Sequence, residues 1–209
     1  MPIIEENLDM PIRDLLKIIQ KRTFHSTYFG VPAIKNPIDF WMYQEIIFSI
    51  KPMVILEIGT NKGGTTLALA HLLDNLGQGR VITIDRHSNV DSSVKRHPRI
   101  FLLTGDACAI FGKVKQMIKE DSPVLIIEDS SHTYDNTLNI LRLYNPLVST
   151  GSYFIIEDGI CHHGLDVGPD PGPYEAVEQF MSENDAFEID RSKEPFVVTW
   201  NPKGYLRKK

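Results

Sequence analysis

The fold is most clearly indicated by the stretch Met53-Val-Ile-Leu-Glu-Ile-Gly-Thr-Asn-Lys-Gly-Gly-Thr65. Its apolar first half, bounded by a proline and a glycine, is typical of a buried parallel strand. The turn that follows can approach a ligand closely, because Gly59, Gly63 and Gly64 carry no Cβ atom. Residues 66–76 then show a helical pattern, and the N-terminus of such a helix favours a polar or anionic group. The stretch therefore predicts a strand, a ligand-binding turn and a helix.

The spacing of the glycines differs from the Gly-x-Gly-x-x-Gly turn of dinucleotide-binding proteins. In Glu57-x-Gly59-x-x-x-Gly63 a carboxylate stands at the strand end, where it would repel a diphosphate but can reach the ammonium of a methionine moiety. This pattern is typical of class I S-adenosylmethionine (AdoMet) methyltransferases, although a plain glycine turn in another α/β protein is the alternative. The predicted cofactor-binding residues of this turn are Glu57, Gly59, Thr60, Asn61, Gly63, Gly64 and Thr65.

Strand-like and helical segments alternate after this turn, which predicts a parallel sheet. The further strands are expected at 80–85, 100–104, 124–128 and from 151 to the acidic pair at 157–158, and an antiparallel pair at 187–190 and 196–200. The predicted fold is a Rossmann-like α/β methyltransferase domain over 51–209, with a mostly parallel seven-stranded sheet and helices on both faces. Residues 1–50 are expected to form an N-terminal helical extension, with helices at 12–22 and from Asp39, as N-cap, to 50.

Two acids follow the second and third predicted strands. Because ligands of doubly wound sheets bind at the carboxyl ends of strands, we expect Asp85 to accept hydrogen bonds from ribose hydroxyls. Asp106 is expected to accept one from the exocyclic amine of adenine. Each acid has a structural alternative as a cap, and Asp106 would then begin a helix running through Lys119.

A cluster of acids follows the fourth and fifth predicted strands. Neighbouring strands lie about 4.8 Å apart, so Asp129, Glu157 and Asp158 can converge on one ion. Carboxylates without cysteine suit a hard cation, with Mg²⁺ as the first choice. His132, three residues after Asp129, is placed to act as a general base. The alternative is an acidic cleft made of caps and surface charges.

Composition limits the classes of partner. The 209 residues carry a net charge of −5, which disfavours a nucleic-acid substrate, and the terminal Arg207-Lys208-Lys209 is expected to be a solvated tail. Two cysteines in different segments indicate free thiols in a reducing compartment. We expect a soluble, cytoplasmic protein without a membrane span, because no signal peptide and no apolar run of 18 residues are present.

Several motifs together resemble the cephalosporin hydroxylase family. They are Glu57-Ile-Gly-Thr-Asn-Lys-Gly-Gly64, Asp129-Ser-Ser-His-Thr133, Tyr153-Phe-Ile-Ile-Glu-Asp158, Gly172-Pro-Tyr-Glu-Ala-Val177 and Asn201-Pro-Lys-Gly-Tyr-Leu206. Proteins of this family have the class I methyltransferase fold and are similar to metal-dependent O-methyltransferases that modify sugars on macrolides. The resemblance implies a metal site and base at Asp129, His132, Glu157 and Asp158. Glu128 departs from the family, which usually has an apolar residue there, and is either a structural residue on the opposite sheet face or an added charge at the site.

The favoured hypothesis is AdoMet-dependent, metal-assisted O-methylation of a sugar or another vicinal diol, with Asp129 and His132 as catalytic residues. Two alternatives remain: an accessory subunit of the same fold that transfers no methyl group, and a hydroxylase-associated protein, which the carboxylate-rich cluster disfavours. The loop 161–173 is expected to be a lid that is polar inside, and His162, His163 and Tyr174 are the predicted substrate residues. We also expect a homo-oligomer.

Overall fold

A seven-stranded sheet organises the computed structural model, which describes residues 3–87, 89–118 and 123–209. The helices are α1 (Ile12–Thr23), α2 (Pro37–Ile50), α3 (Gly64–Leu76), α4 (Ser92–Arg96), α5 (Phe111–Met117), α6 (Tyr134–Tyr144) and α7 (Pro173–Glu183). The strands are β1 (Thr27–Tyr28), β2 (Val31–Pro32), β3 (Val54–Ile58), β4 (Arg80–Asp85), β5 (Ile100–Thr104), β6 (Val124–Glu128), β7 (Tyr153–Ile156), β8 (Phe187–Ile189) and β9 (Tyr205–Lys208).

The sheet has the strand order β5-β4-β3-β6-β7-β9-β8, and β1 and β2 form a separate hairpin. Strands β3 to β7 pair in parallel, whereas β9 runs antiparallel to both β7 and β8. This topology confirms the predicted fold class: a mostly parallel sheet whose central strands bring their carboxyl ends to one edge.

Side chains of the buried strands alternate between two helical layers, as the two-residue period of a strand requires. Ile55 of β3 packs with Tyr43 of α2 and Leu69 of α3, while its neighbour Leu56 belongs to the cluster that contains Leu141 of α6. Helix α2, which lies within the predicted N-terminal extension, thus packs against this sheet.

Helix α2 begins earlier than predicted. Asn36 is its N-cap and accepts a hydrogen bond from the amide of Ile38 (3.2 Å), and Pro37 occupies the first turn, which suits its missing N–H. Asp39, the predicted cap, is instead buried and accepts hydrogen bonds from Thr199 (2.5 Å) and from the amide of Trp200 (2.8 Å).

These contacts of Asp39 explain why the predicted strand at 196–200 is wrong. The segment uses its polar groups to hold Asp39 rather than to pair with β8, and Val197 adopts a left-handed φ of 68°. The partner of β8 is β9, which contains Arg207 and Lys208. The predicted solvated tail is only partly met: Arg207 and Lys209 are exposed, but Lys208 lies in the sheet and its Nζ donates to the carbonyl of Val148 (2.8 Å).

The prediction for the helix after Asp106 is only partly met. Helix α5 begins at Phe111, and Asp106 accepts from the amide of Ala109 (3.1 Å) in the preceding turn. The predicted end of this helix at Lys119 lies outside the described residues. No helix in the described ranges is long and apolar enough to cross a membrane.

Candidate active site

A cavity of about 770 Å³ opens at the carboxyl ends of the central strands. Its walls come from the turn after β3, the ends of β4 and β5, the segments after β6 and β7, and residues of the N-terminal region, including Pro32 to Asn36. The predicted site residues that line it are Gly59, Thr60, Asn61, Gly64, Thr65, Asp85, Asp106, Asp129, His132, Glu157 and Asp158. The structure thus brings most of the predicted cofactor and metal residues to one place.

The glycines of the turn are required by contacts within the protein. Gly59 has a φ of 109°, and a Cβ atom there would lie 1.9 Å from the carbonyl oxygen of Asp129. A Cβ on Gly64 would lie 2.4 Å from the carbonyl oxygen of Pro32. Gly63 lies outside the cavity wall and packs against Val90 and Val94. The turn is therefore fixed by its neighbours at the edge of the cavity.

Glu57 lies beneath this turn, where it is 1% exposed and does not line the cavity. Its carboxylate accepts hydrogen bonds from the hydroxyls of Thr66 and Thr83, the latter at 2.6 Å. Burial raises its pKa to about 7, although these hydrogen bonds and the charge of Lys35 oppose the shift. The geometry favours a role in tying the turn to β4 and α3 over the predicted contact with the ammonium of AdoMet.

This burial makes a prediction for stability. The pKa of Glu57 is raised in the folded state, so the stabilising effect of its proton is complete at acid pH and is lost as the pH rises to about 7. Glu57→Gln should remove that dependence: between about pH 5 and pH 7.5 the free energy of unfolding of the wild type should fall by about 2 kcal/mol more than that of the variant. Urea unfolding at several pH values measures this, with the exposed Glu188→Gln as control. Parallel pH curves for wild type and Glu57→Gln would contradict it.

Asp85 and Asp106 face the cavity beside the turn. Asp85 accepts hydrogen bonds from the amides of Asn61 (2.8 Å) and His87 (2.9 Å), which fixes its carboxylate at the mouth of β4. Asp106 forms an ion pair with Arg86 (2.7 Å), and the hydrogen bonds from Arg86 and the amide of Ala109 lower its pKa. Both carboxylates are thus oriented by protein donors while they remain at the cavity wall.

The acidic cluster lies at the ends of β6 and β7. The Nε2 atom of His132 is 3.3 Å from Oδ2 of Asp158 and 3.9 Å from Oδ1 of Asp129. His132 and Asp158 both have left-handed backbones, with φ of 56° and 57°, a conformation that is uncommon for non-glycine residues but that histidine and aspartate adopt more often than most. In the described part of the chain, the ligand atoms of Asp129, His132 and Asp158 lie within 4.8 Å of one another, close enough to hold one metal ion.

Glu157 faces the same cavity but has two protein partners. One of its oxygens accepts from the Nζ of Lys35 and the other from the hydroxyl of Tyr43 (2.7 Å). Lys35 also donates to Oδ2 of Asp129 (2.9 Å), so one buried ammonium joins two of the predicted metal ligands. Sequence reasoning missed Lys35, Tyr43 and Asn201, whose amide donates to the Tyr43 hydroxyl (3.2 Å). The available signal was a lone lysine among the uncharged residues just before α2.

Burial disfavours the negatively charged forms of the three acids in this cluster. Burial raises the pKa of Asp129 and Asp158, and it raises that of Glu157 to about 7, with neighbouring carboxylates adding to the shift and Lys35 opposing it. Burial by itself lowers the pKa of His132, but the carboxylates of Asp158 and Asp129 outweigh it, so the pKa of His132 is raised.

Glu128 does not line the cavity. It is fully buried and accepts hydrogen bonds from the hydroxyl of Ser130 and from that of Thr137 in α6 (3.3 Å). Glu128 is thus a buried structural residue outside the cavity wall, and its charge also contributes to raising the pKa of His132, so each of the two expectations is met in part.

The predicted substrate residues lie outside the cavity wall, so their predicted role is not supported. The Nε2 atom of His162 is 3.2 Å from the carbonyl oxygen of Gly168, and His163 stacks on Tyr174 with ring centroids 3.7 Å apart. The loop reaches the cavity instead through Cys161, Leu165, Val167 and Gly168. The expectation of a polar inner surface is therefore wrong, because this surface is mainly apolar and Leu165 packs in a cluster with Leu16 of α1 and Trp200.

The sheet order, the turn after β3 and the acidic strand ends beside it define a class I methyltransferase. The chain belongs to the Rhamnosyl O-methyltransferase/CmcI family, whose model matches residues 20–209. Fold and family together identify an AdoMet-dependent O-methyltransferase.

Named relatives and a solved structure agree with this assignment. The chain is 32% identical over 189 residues to a rhamnosyl O-methyltransferase of Mycobacterium tuberculosis strain H37Rv, covering 87% of this chain and 77% of that protein. It is 29% identical over 192 residues to a rhamnosyl O-methyltransferase of Mycobacterium leprae, covering 88% and 83%. A solved structure of CmcI with Mg and SAM superposes with a TM-score of 0.70 at 24% identity, covering 88% of this chain and 76% of that chain, which confirms the fold.

Proposed function

We propose that the protein transfers a methyl group from AdoMet to a hydroxyl of a sugar or another vicinal diol, with a divalent cation, Mg²⁺ first, at the acidic cluster. The observation that carries the proposal is the placement of Asp129, His132, Glu157 and Asp158 in the same cavity as the turn after β3. The relatives named rhamnosyl O-methyltransferase make a rhamnosyl group the first acceptor to test.

The cofactor is proposed to lie along the turn and the ends of β4 and β5. Asp85 would accept hydrogen bonds from the ribose hydroxyls, and Asp106 would face the adenine. Amide groups of the turn and the N-terminus of α3 provide donors for the methionine end. Fixed carboxylates suit this task because they need no reorganisation when the ligand arrives.

The residues of the cluster fit a hard divalent cation. Asp129, Glu157 and Asp158 offer oxygen ligands, and burial disfavours their charged forms unless a cation compensates them. A cation bound there would lower the pKa of a hydroxyl that coordinates it and fix the acceptor in line with the methyl group. Within the described residues, the buried Nδ1 of His132 has no hydrogen-bond partner, which leaves it available for a substrate group or water.

His132 is proposed to accept the proton of the acceptor hydroxyl. Its side chain lines the cavity, and its ring is oriented by Asp158 and Asp129 on the Nε2 side. Those same carboxylates raise its pKa and thus favour the protonated ring, which cannot accept a proton. Compensation of their charge would free the neutral imidazole for use as a base.

The decisive experiment incubates the protein with AdoMet and simple rhamnosides and analyses the products by mass spectrometry. We expect an acceptor mass increase of one methylene unit, loss of activity with EDTA and recovery with Mg²⁺. Activity that survives complete metal removal would contradict the role of the cation. AdoMet binding without transfer to any glycoside or diol would instead favour an accessory protein.

A further inference from the structure

The most unusual group in the cavity is the ammonium of Lys35. Lysine is almost never buried unless it is paired. Lys35 is only 8% exposed, and its Nζ is paired with Glu157 and Asp129. The same carboxylates are two of the three proposed ligands of the divalent cation. The ammonium of Lys35 thus already compensates part of the negative charge that would attract a metal ion.

The contacts of Lys35 divide the carboxylates between two tasks. Oδ2 of Asp129 faces the ammonium, whereas Oδ1 faces His132 and the side of the cavity with Asp158. Both oxygens of Glu157 are engaged, one by Lys35 and the other by Tyr43. Each of these oxygens thus shares its lone pairs with a protein donor, and the positive charge of the ammonium opposes a second cation beside it.

Lys35 is held in this position by its surroundings. It directly precedes Asn36, the N-cap of α2, and follows the segment that packs on the turn after β3, where Pro32 and Ala33 contact Gly64. Its Nζ also lies 5.6 Å from the ring centroid of Tyr43, within range of a cation–π interaction. The ammonium is therefore a fixed charge rather than a flexible surface lysine.

We propose that Lys35 is a positioning residue that acts as an internal counter-ion: it holds Asp129 and Glu157 in place and competes with the divalent cation for them. The inference rests on the proposed function, because it assigns these carboxylates to a cation site. Its consequence is that the protein binds the ion more weakly than its carboxylates would without the ammonium.

The test measures Mn²⁺ affinity by electron paramagnetic resonance, without AdoMet or acceptor. Lys35→Met should bind Mn²⁺ at least about tenfold more tightly than the wild type, because one unit of opposing charge is removed from a buried site. Lys35→Arg retains the charge and should stay within about threefold of the wild type. Lys115→Met removes a charge from the exposed face of α5 and should leave the affinity unchanged.

A second pair of variants covers the case in which Lys35→Met does not fold with two uncompensated carboxylates. Glu157→Gln keeps Lys35 on Asp129, and the double variant Lys35→Met/Glu157→Gln leaves Asp129 without its ammonium. The double variant should again bind Mn²⁺ at least about tenfold more tightly than Glu157→Gln. The inference would be overturned if removal of Lys35 left the Mn²⁺ affinity unchanged both in the wild type and in Glu157→Gln. It would also be overturned if removal of Lys35 weakened Mn²⁺ binding.

The outcomes separate this inference from the proposed function. Binding in all variants with no dependence on Lys35 contradicts only the counter-ion role. No binding in any variant contradicts both that role and the divalent cation. Binding in Lys35→Met but none in the wild type supports the competition.

Discussion

Replacing His132 by alanine is expected to lower kcat for methyl transfer by about 10² to 10⁴ while the affinity for AdoMet stays nearly unchanged. The ring lines the cavity next to Asp129 and Asp158, on the side proposed for the acceptor. Loss of a base should therefore affect the chemical step and not the cofactor. Steady-state kinetics that follow the formation of a methylated rhamnoside measure kcat, and calorimetry measures the affinity for AdoMet.

The control for this prediction is His163→Ala. His163 stacks on Tyr174, and its Nε2 lies 2.5 Å from Oε1 of Glu175. Because His163 lies outside the cavity wall, its loss should leave kcat within about twofold of the wild type. If His132→Ala retains full turnover at neutral pH, the cation alone activates the hydroxyl. If His163→Ala is as damaging as His132→Ala, the loop takes part in the reaction in a way that the cavity does not show.

The pH dependence of kcat/KM is a second test of His132 as the base. The carboxylates raise the pKa of His132 against the effect of burial, so the protonated ring persists to higher pH than an ordinary histidine. With little cation present, kcat/KM should rise with pH through this raised pKa, because only the neutral ring accepts a proton. Saturating Mg²⁺ should move the acid limb to lower pH by compensating the carboxylates. If the acid limb of the profile does not move with Mg²⁺, the limb reports the titration of a group other than His132.

Much of the sheet and part of the site could be predicted because both depend on local patterns. The acids stand where apolar strand runs end: β4 ends at Asp85, Asp129 follows the last residue of β6, and the pair Glu157-Asp158 follows β7. The parallel topology then brings these ends to one edge without any knowledge of side-chain packing. The sequence order of the acids was therefore sufficient to place them together in the cavity.

Contacts between distant segments could not be predicted in this way. Lys35 is 94 positions from Asp129 and 122 from Glu157, and no periodic pattern links them. The same holds for Thr199 and Asp39, whose hydrogen bond spans 160 positions and removes the segment 196–200 from the sheet. Propensity favoured a strand there, but the requirement to satisfy a buried carboxylate decided the conformation.

Gly59→Ala is expected to lower the free energy of unfolding by an amount on the order of 3 kcal/mol or more. The methyl group would lie 1.9 Å from the carbonyl oxygen of Asp129, and this neighbour is backbone that cannot rotate away. The φ of 109° adds strain for any residue with a Cβ atom. Urea unfolding of wild type and variant measures the change.

Gly77→Ala separates the two causes. Gly77 also has a left-handed φ, 71°, but a Cβ atom there meets nothing within 4 Å, so only the conformational cost of about 1 kcal/mol is expected. The excess cost at Gly59 then reflects the close approach of β3 to the segment after β6 together with a φ further from the left-handed region. Because that segment carries Asp129, a Gly59→Ala protein that still folds should also bind Mn²⁺ more weakly, whereas Gly77→Ala should not. Equal losses of stability in the two variants would show that the turn moves freely away from Asp129, contrary to the packing observed.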